Sequence, residues 1–76
     1  MRVVVMDGNG AYLFGYRDAC MGHAPSSIYF KPFNIDYLTG YCDGLGDILI
    51  TQTTDAVGKI DDMITEAGYV RPEGDD

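Results

Sequence analysis

Arg2-Val3-Val4-Val5-Met6-Asp7-Gly8-Asn9-Gly10-Ala11-Tyr12-Leu13-Phe14-Gly15-Tyr16-Arg17 is the stretch on which the fold turns. Residues 2–6 read as a strand around the β-branched, apolar Val3, Val4 and Val5. Asp7-Gly8-Asn9-Gly10 supplies residues that tolerate the positive φ of a tight hairpin turn. Residues 11–17 then alternate, which places Tyr12, Phe14 and Tyr16 on one face of a strand. The expectation is a β-hairpin of two antiparallel strands.

Working outward, 18–27 reads as a loop, or one loose helical turn, around Gly22 and Pro25. Ile28-Tyr29-Phe30-Lys31 reads as a third short strand, ended by Pro32, which cannot donate to a ladder. Residues 34–46 read either as a short helix or as a glycine-rich loop. On a helix, Ile35, Leu38, Cys42 and Leu45 share one face, with Asn34 as N-cap and Gly44 or Gly46 as the stop. Residues 47–52 read as a fourth strand. The clearest helix runs from Thr54 to Ala67, with Val57, Ile60, Ile64 and Ala67 as its apolar stripe, Met63 beside them and Gly68 at C′. Val57, Ile60, Ile64 and Val4 or Val5 are expected in the core.

The pattern predicts an α+β fold. A mostly antiparallel sheet of about four strands is covered on one face by a long C-terminal helix, with a second short helix optional. Residues 1–70 form a single domain, and 71–76 are an acidic, frayed tail. No internal repeat is seen.

The chain has 76 residues, 12 acids and 5 bases, for a net charge of −7. That balance excludes a direct binder of nucleic acid, which needs clustered Lys and Arg. It also excludes docking on anionic lipid, and no apolar run is long enough to span a membrane. The first residues are too short and too soon interrupted for a secretory signal. The expectation is therefore a cytoplasmic protein with Cys20 and Cys42 as free thiols, although spacing alone does not decide whether they are bridged.

Candidate sites are weak. Asp7, Asn9 and Asp18 echo an EF-hand loop, but Ala11 and Tyr12 occupy its fifth and sixth places. Cys20-x-x-His23, with Cys42 and Asp43 elsewhere, is half a zinc motif. The same Cys and His lack the third group and oxyanion site of a nucleophilic enzyme. Gly8 and Gly10 do not complete G-x-G-x-x-G, because position 13 is Leu13. A stacking platform of Tyr12, Phe14 and Tyr16 is better read as sheet packing. No catalytic residue, metal or cofactor is expected.

Charge layout is the informative signal. Residues 1–33 carry three bases (Arg2, Arg17, Lys31) and two acids (Asp7, Asp18), net +1. Residues 34–76 carry two bases (Lys59, Arg71) and ten acids, net −8. On the C-terminal helix Asp55, Asp62 and Glu66 lie within about 40° of one another. With Asp36, Asp43, Asp47 and Asp61, they form the candidate partner-binding surface.

In size, single-domain build, acid content, free cysteines and lack of catalytic residues, the chain resembles the small acidic inhibitors encoded by bacteriophages. Those include DNA-mimic and anti-CRISPR proteins. The resemblance rests on these properties and on no signature motif. It implies a non-catalytic inhibitor of a nucleic-acid-binding complex, with a CRISPR surveillance complex as the specific target and the host cytoplasm as its place. The alternative is a general protein–protein interaction or regulatory module that binds through its aromatic sheet face.

Overall fold

The computed structural model describes residues 6–47 and 53–71, with the side chains of 53–56 left out. The described residues form three α-helices, α1 (Gly8–Cys20), α2 (Asn34–Asp47) and α3 (Thr53–Ala67), with a 3₁₀ turn at Ser27–Phe30 between the first two. Among the described residues there is no strand. The α+β expectation is overturned, and with it the four-stranded sheet.

The hairpin fails at its turn. Asp7 is the N-cap of α1: its carboxylate accepts from the Gly10 amide at 2.9 Å, and its carbonyl accepts from Ala11 at 3.0 Å. The Gly10 amide also holds the Asp7 carboxyl below the usual carboxylate range, followed in effect by the Tyr69 hydroxyl. Asp-Gly-Asn-Gly therefore starts a helix where it was read as reversing a strand. Residues 11–17 lie in its interior, while 2–5 fall outside the described residues. The apolar alternation misled because α1 is covered on nearly every side: Ala11, Leu13, Phe14, Asp18 and Ala19 are all buried. A helix in that position needs no polar face.

The third expected strand is the 3₁₀ turn, which inserts Phe30 into the core. The fourth, at 47–52, contributes only Asp47 to the described residues, and Asp47 ends α2. Of the two readings of 34–46 the helix holds, but Asn34 is its first residue and not its N-cap, Gly44 and Gly46 lie within it, and its orientation is wrong. Ile35, Leu38, Cys42 and Leu45 face solvent, while Tyr37, Gly40 and Gly44 are buried against α1.

α1 and α2 run parallel. Gly8 lies beside Asp36, Gly40 beside Tyr12, and Gly44 beside Tyr16 and Ala19. The approach is closer than side chains permit. A Cβ on Gly15 would overlap the Tyr37 carbonyl and sit 3.0 Å from the Tyr41 nitrogen. A Cβ on Gly40 would overlap the Tyr12 carbonyl, and one on Gly44 would lie 2.7 Å from the Tyr16 oxygen. Mid-helix glycine, which costs about 1 kcal/mol of helix propensity, is what lets these two backbones touch.

α3 packs antiparallel on α1. Arg17 meets Asp61 at one end, and Tyr69, just past α3, lies against Gly10 and Asp7 at the other. Ile60 and Ile64 are buried as expected, Val57 is partly covered, and Met63 and Ala67 are exposed. Gly68 has φ +77° and its amide donates to Ile64, as a C′ glycine does. Val4 and Val5 fall outside the described residues. No helix among the described residues is long and apolar enough to cross a membrane.

Candidate functional site

The contact between α1 and α2 has an origin in the sequence. Tyr12-Leu13-Phe14-Gly15-Tyr16-Arg17-Asp18 and Tyr37-Leu38-Thr39-Gly40-Tyr41-Cys42-Asp43 share Tyr, Leu, Gly, Tyr and Asp at the same places, 25 residues apart. The expectation of no repeat is thus corrected. The two copies face each other reciprocally, each glycine receiving the other copy's first tyrosine carbonyl. The hydroxyl of Tyr12 donates to Asp43, and that of Tyr37 donates to Asp18. Tyr12 and Tyr16 stack with centroids 6.5 Å apart, and Tyr37 and Tyr41 stack at 6.2 Å. The pair therefore has an approximate two-fold axis along the helices, and two grooves, one on each side.

One groove is closed. Asp18 is fully buried, and the Arg71 guanidinium grips it through two parallel bonds of 2.8 and 2.6 Å. This fork-to-carboxylate geometry is the strong form of the ion pair. Arg71 also donates to the Ser26 hydroxyl at 2.9 Å, and its guanidinium carbon stands 5.7 Å from the rings of both Phe14 and Phe30. The Ser26 amide donates to the Tyr37 hydroxyl at 3.0 Å. Phe30 stacks on Tyr37 at 4.5 Å, so the 3₁₀ turn forms the lid. Burial first, and the Asp18 bond second, push the Tyr37 hydroxyl pKa up. Among the described residues no buried side-chain nitrogen or oxygen lacks a partner. Arg71, the first residue of the expected tail, is held by its pair with Asp18, and 72–76 lie outside the described residues.

The other groove is open. Asp43 is exposed, and the Tyr12 hydroxyl is its one hydrogen-bond donor among the described residues. That bond, more than burial, raises the Tyr12 pKa to about 12. One turn on, the Tyr16 hydroxyl donates to Asp47, and its pKa is raised chiefly by that bond. Asp36 continues the same flank toward the start of α1, beside Gly8.

The expected partner-binding residues are divided between two helices. Asp36, Asp43 and Asp47 line one flank of α2. On α3, Asp62 and Glu66 are exposed, Asp61 is engaged by Arg17, and the side chain of Asp55 lies outside the described residues. The expected row of Asp55, Asp62 and Glu66 is thus seen only in its last two members. Tyr12, Phe14 and Tyr16 share no face: Phe14 is in the core and the tyrosines flank the open groove. The aromatic sheet face is withdrawn with the sheet.

Cys20 and Cys42 are free thiols, and burial raises the Cys20 pKa. No hydrogen bond joins Cys20 to His23 among the described residues; His23 Nδ1 stands 3.7 Å from Asp18. No group of three or more His, Cys, Asp or Glu is placed to hold a metal among those residues. The arrangement offers carboxylates oriented by tyrosine hydroxyls.

The sequence marks Asp18 only as part of an incomplete EF-hand pattern and does not single out Tyr37 or Arg71, although the repeated Tyr-Leu-x-Gly-Tyr-x-Asp points to the first two. No family model matches the chain, no curated protein matches it in sequence and no solved structure matches it in fold, so the resemblance to phage inhibitors gains no support from known proteins.

Proposed function

We propose that the chain is a non-catalytic binding module whose acidic surface docks on a basic groove of a partner protein and inhibits by keeping nucleic acid out of it. The acidic flank of α2 carries this reading. Asp36, Asp43 and Asp47 follow one side of a helix that contains no Lys, Arg or His. They are spaced about 10 and 6 Å along the axis, at 1.5 Å per residue. Tyrosine hydroxyls already hold two of them. Part of the side-chain ordering cost of binding is thereby met in advance, and the net charge of −7 favours fast encounter with a cationic surface.

The test is competition for DNA. The resemblance makes a purified CRISPR surveillance complex the first partner to try. Wild-type protein is expected to displace DNA, with potency falling as salt rises. Joint replacement of Asp36 and Asp43 by Lys removes two attractions and adds two repulsions, on the order of 2 kcal/mol or about 30-fold in potency. A folded double variant that blocks DNA as well as wild type refutes the α2 flank as the docking surface. The matched variant on α3, with Asp62 and Glu66 changed to Lys, then decides whether the acids act there instead.

The outer face of α2 favours a second reading. Ile35, Leu38 and Leu45 are exposed large apolar residues at helical spacing. A module that docks through them would bind with little dependence on salt and would tolerate the lysine variants.

A further inference from the structure

We infer that the open groove, centred on Tyr12 and Asp43, receives an arginine side chain from a partner protein, in the way that the closed groove receives Arg71. This rests on the reading of the α2 flank as a docking surface and names what docks there.

The two grooves come from one repeated sequence, so the closed one shows what the pattern holds. Asp18 and Asp43 occupy the same place in the repeat, and each accepts from the first tyrosine of the opposite copy. Asp18 then takes a guanidinium through a bidentate pair. Asp43 has the same tyrosine on Oδ2 and no cation within ion-pair distance among the described residues.

The aromatic surface differs between the two. Phe14 and Phe30 stand 5.7 Å from the Arg71 guanidinium, whereas the place of Phe14 in the second copy is taken by Thr39 and the open groove offers the stacked Tyr12 and Tyr16 beside Asp43 and Asp47. A planar guanidinium uses both the fork and the aromatic surface, whereas an ammonium presents a compact point charge. Within the described residues Arg17 is committed to Asp61 and Arg71 to Asp18. No arginine among the described residues is therefore left for Asp43, and the nearby acids Asp36 and Asp47 favour a cationic partner as its source.

The probe is N-acetyl-arginine amide, titrated into the full chain and followed by amide chemical shifts, with N-acetyl-lysine amide as comparison. The expected result is a saturable shift centred on Tyr12 and Asp43, stronger for arginine than for lysine. Asp43→Asn should weaken it about ten-fold, as loss of a charge-assisted pair does, while Thr65→Ala, at an exposed place on α3, leaves it unchanged. Asp43 is exposed, so circular dichroism should show its variant folded. Equal response to lysine and arginine, or an unaltered response in Asp43→Asn, overturns the inference. A response that emerges only in Arg2→Ala also overturns it, because the chain's own Arg2 would then be the occupant. If these titrations fail while DNA displacement succeeds, this inference falls and the reading of the acidic flank stands.

Discussion

Alanine at Gly40 is the sharpest probe of the helix pair. On propensity alone, Gly→Ala inside a helix stabilises by about 1 kcal/mol. Here the new methyl would overlap the Tyr12 carbonyl oxygen and lie 2.8 Å from its carbon. Backbone cannot rotate away, so α1 and α2 must separate by ~1 Å, and a gap of that size forfeits a quarter to a half of the dispersion attraction across it. A large buried side chain makes on the order of 40–60 contacts of 0.1–0.2 kcal/mol each. If half of those made by Tyr37 cross the seam, the loss is about 1–2 kcal/mol. Stretching the Tyr37–Asp18 bond, one end of which is charged, adds about 1.5–3 kcal/mol. Less the propensity gain, the net cost is roughly 1.5–4 kcal/mol. A domain of this size holds only about 3–5 kcal/mol, so the variant should be mostly unfolded at modest urea.

Gly46 and Gly58 are the controls: each is helical with nothing within 4 Å of a new Cβ. Alanine there should stabilise by up to about 1 kcal/mol. Urea melts followed by far-UV circular dichroism report all three. Gly40→Ala as stable as Gly46→Ala would refute the close parallel pairing.

Replacing Arg71 by Ala strands the buried Asp18 carboxylate and should cost about 3–5 kcal/mol; Arg71→Lys should restore only part of that in the same melts, because it cannot form the fork. In alkali, the hydroxyl donor of Tyr12 stabilises the fold fully below the unfolded tyrosine pKa of 10.0, and that contribution is lost as pH climbs toward about 12. Stability should accordingly fall over that window, and Tyr12→Phe should flatten the fall. Exposed Cys42 should react with iodoacetamide well before Cys20, whose pKa is raised by burial; equal rates would contradict the packing around α1. Ile60→Ala should cost about 2–5 kcal/mol through the cavity it leaves between α1 and α3.

The C-terminal helix was legible because its signals are local. Ile60 and Ile64 recur at helical spacing, Gly68 stops the chain, and no neighbour is needed to interpret them. The N-terminal half was misread for the opposite reason. Tyr12, Leu13, Phe14 and Tyr16 have aromatic, strand-favouring character, and only the burial of α1 between α2 and α3 makes a helix of them. The same character hides the repeat: one copy carries a strand-like pattern and the other a helix- or loop-like one, so the two do not look alike by local pattern. The orientation of α2 followed suit, since apolar residues were assumed to point inward. Its inner face is instead built from Gly40 and Gly44, which carry no hydrophobic signal. Asp18 and Arg71 stand 53 residues apart, and nothing local in a net-negative chain marks one aspartate as buried.

The near-equivalence of the two helical faces has a consequence for assembly. A seam whose sides carry the same tyrosines, glycines and aspartates does not itself specify which helices meet. α1 of one molecule presents to α1 of another much of what it presents to α2 of its own. The internal pairing is favoured by the tether: residues 21–33, between Cys20 and Asn34, confine the two helices to one neighbourhood. A short tether sets an effective concentration in the millimolar range, which intermolecular exchange must exceed. Cutting the chain within that connection removes the advantage, and the freed halves would then sort by mass action into like and unlike pairs.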